Sequence, residues 1–205
     1  QNHPEYEEMA IQIHEQFFAI ANAIHGHTES GISLWDPQDE FFKDALECPN
    51  GLFQLPVYSW VGLIPIFGIE IIGPEKLLKL PCYAAFLKSH VGGKYDGNEV
   101  CACPHTANVR GEHLFSLAFP ANLPSMMQRV LNSDEFLSPF GVRALSKTHA
   151  SKRDLGNVPG LGSTFIAYEP GESESGLFGG NSNWRGPIWV PLNFMFVQAL
   201  ENLHR

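Results

Sequence analysis

The first part of the chain carries apolar side chains at helical spacing. This spacing predicts an amphipathic helix over residues 4–24. Pro4 suits the first turn of such a helix and Gly26 suits its end. The apolar positions are Tyr6, Met9, Ile13, Phe17, Ile20, Ala21 and Ile24.

Three further segments follow in the first half of the chain. Residues 33–42 predict two short extended pieces around a Pro-Gln-Asp turn. The mostly apolar run at 57–72 predicts a buried helix. A buried strand is the alternative, but the run is long for a strand. Residues 75–90 have a helical composition that Pro81 interrupts.

The second half alternates helical segments with polar loops. Residues 123–131 predict a short helix, and the apolar run at 190–200 predicts a buried one. Residues 91–112 predict a polar, glycine-bearing loop, and residues 150–164 a flexible polar segment. Helices separated by long loops favour a mainly α fold with small β-hairpins.

Composition narrows the class of protein. The 205 residues predict one domain or part of a larger one, and 44 % hydrophobic residues are enough for a sizeable core. The formal net charge of −9 argues against nucleic acid as a partner. No apolar run reaches the ~18 residues of a membrane span. The chain contains no Asn-x-Ser/Thr sequon, which favours a non-secreted, cytoplasmic protein.

The four cysteines leave two interpretations open. Cys101-Ala102-Cys103 is too tightly spaced for a usual zinc knuckle, which has two to four residues between its thiolates. His105 and His113 lie nearby, so a metal site and unpaired thiols both remain possible. The pattern does not decide whether Cys101 and Cys103 are paired.

A short acidic turn gives a second metal alternative. Asp36, Asp39 and Glu40 are calcium-ligand types, but the twelve-residue EF-hand pattern is missing. No zinc-hydrolase or phosphate-loop motif occurs either. We therefore predict no metal and no cofactor.

The glycine-rich stretch at residues 176–189 has the composition of a sugar-binding loop. Tryptophan rings suit the C–H faces of a sugar, and Asn and Arg provide hydrogen-bond donors for hydroxyls. The alternative is that the tryptophans belong to the core and the arginine holds a carboxylate structurally. The candidate substrate-binding residues are Trp184, Arg185, Asn183, Trp189, Asn193 and Trp35.

Three glutamates precede this loop and are the candidate catalytic carboxylates. Glu169, Glu172 and Glu174 lie within six residues. Carboxylates this close raise one another's pKa, as a general acid requires. The alternatives are a solvated turn or a role in positioning the loop.

Five runs of residues resemble a known family in their order. They are 34–42, 61–67, 135–143, 168–176 and 183–189. The last run, Asn-Trp-Arg-Gly-Pro-Ile-Trp, is the most specific. Together they resemble the C-terminal part of glycoside hydrolase family 63-like proteins, a group that includes mannosyl-oligosaccharide glucosidase and mannosylglycerate hydrolase.

The resemblance implies part of an (α/α)6 toroid or barrel and an inverting reaction. In such a reaction one carboxylic acid protonates the leaving oxygen and a second carboxylate activates water. In the family the acid is an Asp upstream of residues 34–42, and the base is a Glu downstream of 183–189. We therefore expect an incomplete chain whose catalytic pair lies outside it.

Two functions remain at this stage. The first is a carbohydrate-active protein resembling an inverting O-glycosidase that acts on α-glucosides or α-mannosides. The second is a non-catalytic, lectin-like glycan-binding protein or a structural fragment. Either predicts a carbohydrate ligand, and a partial fold predicts a partner chain or self-association that covers exposed helix faces.

Overall fold

The computed structural model describes residues 4–49, 51–91, 108–160 and 162–204. Within these ranges the chain forms six α-helices and ten short strands. The helices are α1 (Pro4–Ile24), α2 (Ile64–Phe67), α3 (Pro74–Lys79), α4 (Pro81–Val91), α5 (Leu123–Val130) and α6 (Val190–His204). Single-turn 3-10 helices at Trp60–Leu63, Lys147–Ala150 and Leu177–Gly180 supplement them.

The strands pair in five antiparallel two-stranded hairpins. The strands are β1 (Trp35–Asp36), β2 (Phe41–Phe42), β3 (Ala45–Cys48), β4 (Gly51–Gln54), β5 (Ile69–Ile72), β6 (His113–Ser116), β7 (Leu137–Ser138), β8 (Gly141–Val142), β9 (Arg153–Val158) and β10 (Gly162–Ile166). Each odd-numbered strand pairs with the strand that follows it.

This architecture corrects the predicted fold class. The described residues form a mixed α and β fold, so the prediction of a mainly α chain forming part of an (α/α)6 toroid or barrel is wrong. Glycine- and proline-punctuated segments between the helices pair as hairpins. Periodicity within one segment does not reveal such pairing, because the partner strand lies elsewhere in the chain.

Two local predictions fail for identifiable reasons. Residues 57–72 form a 3-10 turn, the single-turn α2 and the strand β5 rather than one helix. Gly62 interrupts the run where a Cβ would lie 2.2 Å from the ring of Phe41. Residues 150–164, predicted flexible, instead contribute β9 and the start of β10.

Other predictions are confirmed. Helix α1 spans residues 4–24, and β1 and β2 flank the predicted Pro-Gln-Asp turn. Helices α3 and α4 meet at Pro81, α5 covers the predicted short helix, and α6 extends the predicted helix to His204. The prediction that residues 190–200 form a buried helix is wrong in its burial, because Val190, Phe194 and Val197 are more than half exposed. Much of the predicted loop at 91–112 lies outside the described residues.

The chain divides into two compact units. The first unit comprises Gln1–Ser33, Pro65–Pro120 and Ala199–Arg205, and the second comprises Leu34–Ile64 and Ala121–Gln198. The candidate sugar-binding loop lies in the second unit.

Helices α1 and α4 form the core of the first unit together with β6. Phe18 and Ala21 of α1 pack with Tyr83 and Leu87 of α4 and with Phe115 of β6. Their burial is the main source of stability in this unit, since each large apolar side chain contributes roughly 1.5–3 kcal/mol when fully buried. Burial also raises the pKa of Tyr83 to about 12.

Apolar side chains remain exposed on two helices. Tyr6, Met9 and Ile13 of α1 are more than half exposed, as are Val190 and Phe194 of α6. Surfaces of this kind often mark interaction sites. The predicted partner chain or self-association covering exposed helix faces stays a prediction. No helix in the described residues has the length and apolar character needed to cross a membrane.

Candidate carbohydrate site

Backbone hydrogen bonds fix the end of the glycine-rich loop to the second unit. Ala144 N–H donates to Pro187 O at 2.9 Å, and Trp60 N–H donates to Ala144 O at 2.9 Å. Two residues after Ala144, Ser146 N–H donates to Tyr58 O at 2.9 Å. The segment around Ala144 therefore links the loop to the residues that precede α2.

A buried ion pair between Arg185 and Glu169 anchors the loop. Arg185 is 0 % exposed, and its Nη1 donates to Glu169 Oε2 at 3.0 Å. Its Nη2 donates to Ser175 Oγ at 2.7 Å. Glu169 N–H donates to Arg185 O at 2.8 Å, and Glu174 N–H donates to Glu169 Oε2 at 3.1 Å. The pair thus joins the acidic segment to the loop at several points.

Two tryptophans, one on each side of Arg185 in the sequence, form an aromatic corner. The rings of Trp184 and Trp189 meet edge-on, with centroids 4.6 Å apart and an interplanar angle of 60°. Trp189 Nε1 donates to Asn183 O at 3.0 Å, and Asn183 N–H donates to Asn181 Oδ1 at 3.0 Å. Trp184 remains 37 % exposed, so a fixed aromatic surface faces solvent.

The glycine between the tryptophans is required by packing and by backbone conformation. Gly186 has φ +117°, and a Cβ there would lie 2.1 Å from Cε2 of Tyr168. The Tyr168 hydroxyl accepts a hydrogen bond from Arg143 Nε at 3.2 Å. Tyr168 therefore lies directly against the loop backbone, and no side chain fits between them.

The structure does not bring all six predicted substrate-binding residues together. Trp184, Arg185, Asn183 and Trp189 share the loop, but Arg185 is buried on Glu169 rather than open to solvent. The predicted substrate contacts stay predictions.

The remaining two predicted residues have structural contacts. Asn193 Oδ1 accepts from Val142 N–H at 2.7 Å, and Asn193 Nδ2 donates to Val142 O at 3.1 Å and to Trp189 O at 2.9 Å. This amide ties α6 to β8. Trp35 in β1 lies edge-on to Phe42 of the paired strand, at 5.0 Å between centroids.

The candidate catalytic glutamates occupy different environments. Glu169 is committed to the ion pair, with its side chain 10 % exposed. Glu172 and Glu174 are exposed, and Glu174 Oε2 lies 3.6 Å from Lys152 Nζ. The contacts of Glu169 agree with the alternative in which this segment positions the loop. A catalytic role for any of the three glutamates stays a prediction.

A cavity of about 270 Å³ lies beside Trp184. Its walls are mainly aliphatic and come from β9, β10, a 3-10 turn and the loops of the second unit, including Leu55, Val57, Val61, Leu145, Leu155 and Ile166. Its polar wall residues are Asp44, Ser59 and Thr164. This polarity is typical of small-molecule sites, in which few polar groups orient a ligand among apolar walls.

Asp44 is a cavity residue that the sequence did not indicate. Desolvation by the surrounding protein raises the pKa of its carboxyl, although the residue as a whole reaches solvent. Carboxyls with perturbed pKa values concentrate at functional sites. The only local signal is a charged residue between two apolar strands, which is also the usual composition of a turn.

The acidic turn considered for calcium holds an internal cation. Lys43 is buried, and its Nζ contacts Asp36 Oδ2 at 2.7 Å and also Asp39 Oδ2. Tyr58 hydroxyl donates to Asp39 Oδ2 at 2.7 Å. Hydrogen bonding to Lys43 lowers the pKa of both aspartates. These carboxylates therefore neutralise Lys43.

In the portions of the chain that the structure describes, no three His, Cys, Asp or Glu side chains are grouped to hold a metal ion. Cys48 and Cys82 are free thiols. Cys101, Cys103 and His105 lie outside the described residues.

A buried histidine gives the second unit a predicted pH dependence. His149 is fully buried, and its Nε2 accepts a hydrogen bond from Tyr58 N–H at 3.1 Å. Burial, assisted by the charge of Arg153, lowers the pKa of His149 to about 4. In the unfolded chain this imidazole binds a proton near pH 6.5, so its neutral burial stabilises the fold above that pH. We expect about 3 kcal/mol to be lost as the pH falls from 6.5 to 4.

Urea unfolding at a series of pH values measures this loss. The matched variant His149→Gln keeps a hydrogen-bond acceptor but has no group that titrates in this range. The difference between the two stability curves should shrink or reverse towards pH 4. Parallel curves for the two proteins would contradict the assignment to His149.

The chain is similar over almost its whole length to a protein of yeast. The chain is 34 % identical over 215 aligned residues to an uncharacterized protein of Saccharomyces cerevisiae, YMR196W. The match covers 98 % of this chain and 20 % of the yeast protein, so the chain spans about a fifth of the length of that relative. No protein-family model and no solved structure matches the chain. The resemblance to glycoside hydrolase family 63-like proteins therefore stays a prediction.

Proposed function

We propose that the loop at residues 176–189 binds a carbohydrate in a protein that resembles an inverting O-glycosidase acting on α-glucosides or α-mannosides. The observation that carries the proposal is the Trp184–Trp189 corner, which presents a partly exposed aromatic surface on a fixed backbone. A sugar ring places its C–H groups against such a surface while its hydroxyls point to polar neighbours.

Rigidity of the loop supports the binding role. Ordering a flexible loop at the moment of binding reduces affinity. Here the buried Arg185–Glu169 pair and the hydrogen bond from Trp189 Nε1 to Asn183 O hold the loop before any ligand arrives. Exposed Asn183 lies beside Trp184 in sequence, and its amide group can donate to and accept from hydroxyls.

Glycan binding without hydrolysis is the second candidate function. It is favoured by the engagement of Glu169 with Arg185, since this removes the least exposed of the three glutamates from proton transfer. Hydrolysis in this proposal needs a general acid and a general base, and the geometry of the described residues assigns neither. The binding role of the loop is common to both candidates.

Substitution of Trp184 by alanine tests the binding role. We expect affinity for α-linked gluco- or manno-oligosaccharides, measured by isothermal titration calorimetry, to fall at least about tenfold, equivalent to 1.4 kcal/mol. The matched control is Phe140→Ala, which removes another exposed aromatic side chain of the second unit. Its affinity should equal that of the wild type. Equal affinities for the wild type and both variants, or saturable binding by none of them, would contradict the proposal.

A further inference from the structure

The cavity beside Trp184 offers little hydrogen bonding to a sugar. Most of its wall is aliphatic, and Ser59 Oγ already accepts a hydrogen bond from Val61 N–H at 3.3 Å. Each sugar hydroxyl buried there without a partner would cost roughly 1–3 kcal/mol. An apolar molecule avoids this penalty and removes its own surface from water.

The volume of the cavity limits the size of the occupant. An apolar cavity of about 150 Å³ is large enough to bind benzene. The present cavity is about 270 Å³, which accommodates two fused aromatic rings. A single ring would leave much of the wall uncovered.

The few polar wall residues would fix the orientation of a ligand in the cavity. Asp44 and Thr164 are polar members of a wall that otherwise contains residues such as Leu155, Val158 and Ile166. A ligand with one hydroxyl group can place that group at Asp44 and its rings among the aliphatic side chains. Few polar groups in an apolar pocket fix orientation in this way.

We propose that this cavity is a binding site for a bicyclic aromatic molecule bearing one hydroxyl, with the rings against the aliphatic wall and the hydroxyl at Asp44. The proposal does not rest on carbohydrate binding by the loop, because the ligand contains no sugar. Trp184 lines the cavity, so an occupant lies next to the aromatic corner described above.

Titration with 2-naphthol and naphthalene tests the site. The wild-type protein should bind 2-naphthol saturably at one site, as measured by fluorescence and by ligand-observed NMR. Val158→Phe places a ring in the cavity and should lower that affinity at least tenfold. Val158 is 1 % exposed, so thermal unfolding must first show that the variant folds. If it does not, Leu155→Phe takes its place.

A comparison of 2-naphthol with naphthalene tests the contact between the ligand hydroxyl and Asp44. Asp44→Leu should weaken binding of 2-naphthol at least fivefold and leave binding of naphthalene within twofold. The matched control is Glu47→Leu, at an exposed residue of β3, which should change neither. Equal losses for both ligands in Asp44→Leu would overturn the orientation.

Three results would overturn the site itself. They are no saturable binding of 2-naphthol, unchanged binding in the filled variant, and filled variants that only gain thermal stability, as expected of a simple packing void. Oligosaccharide affinity measured on the same proteins separates the two proposals. Loss of naphthol binding in Val158→Phe with unchanged oligosaccharide binding supports two distinct sites.

Discussion

Replacement of Glu169 by alanine is expected to lower the free energy of unfolding by about 3–5 kcal/mol. The reason is the position of Arg185, which is 0 % exposed and has its Nη1 3.0 Å from Glu169 Oε2. Without the carboxylate, a buried guanidinium keeps its charge and loses its counter-ion. The Ser175 hydroxyl, 2.7 Å from Nη2, carries no charge and does not replace it.

Chemical denaturation of Glu169→Ala beside Glu172→Ala measures this effect. Glu172 belongs to the same acidic segment and is exposed, so its removal should change stability by no more than about 0.5 kcal/mol. Glu169→Gln keeps the side-chain shape and should fall between the two. A loss below 1 kcal/mol in Glu169→Ala would show that the pair does not hold the loop.

Gly186→Ala should be comparably damaging, by about 3–5 kcal/mol, for a different reason. The residue has φ +117°, where L side chains are strained, and the added Cβ would lie 2.1 Å from Cε2 of Tyr168. Backbone strain and overpacking each cost roughly 1–3 kcal/mol. The Tyr168 ring cannot move freely, because its hydroxyl accepts a hydrogen bond from Arg143 Nε at 3.2 Å.

Gly176→Ala is the matched control at the other end of the loop. Gly176 has φ −76°, and a Cβ there would meet no atom within 4 Å. Its stability, from thermal and urea unfolding, should equal that of the wild type within about 0.5 kcal/mol. Oligosaccharide affinity should fall in Gly186→Ala and not in Gly176→Ala. Equal stabilities would contradict the close packing of Tyr168 on the loop.

Local signals are sufficient for five of the six helices of the described residues, α2 being the exception, and for one hairpin. Met9 and Ile13 follow the period of α1, and Pro37 lies in the turn between β1 and β2, so these elements depend on residues close in sequence. The hairpin of β9 and β10 does not. Leu155 and Val158 belong to a cluster against which Leu46 and Phe53, much earlier in the chain, are packed. This context orders a segment whose own composition is polar.

In the candidate site, too, some features are indicated by the sequence and others appear only in the folded structure. The tryptophans, glycines and asparagines indicate residues 176–189 as a candidate binding loop through composition alone. The choice of Glu169 over its two neighbours as the partner of Arg185 depends on folded geometry that no spacing rule contains. The fold places Asp44 in the cavity wall and His149 in the core, and neither residue belongs to a sequence motif.

The indole N–H resonances of the protein provide the most direct test of carbohydrate binding at the loop. The chain has four tryptophans, and assigned heteronuclear NMR spectra report each indole separately. On titration with α-linked glucose or mannose oligosaccharides, the account predicts saturable shifts of Trp184 and Trp189. Trp60, which is 0 % exposed, should not move. Saturable shifts confined to Trp35 or Trp60, or no shift at any tryptophan, would contradict the account.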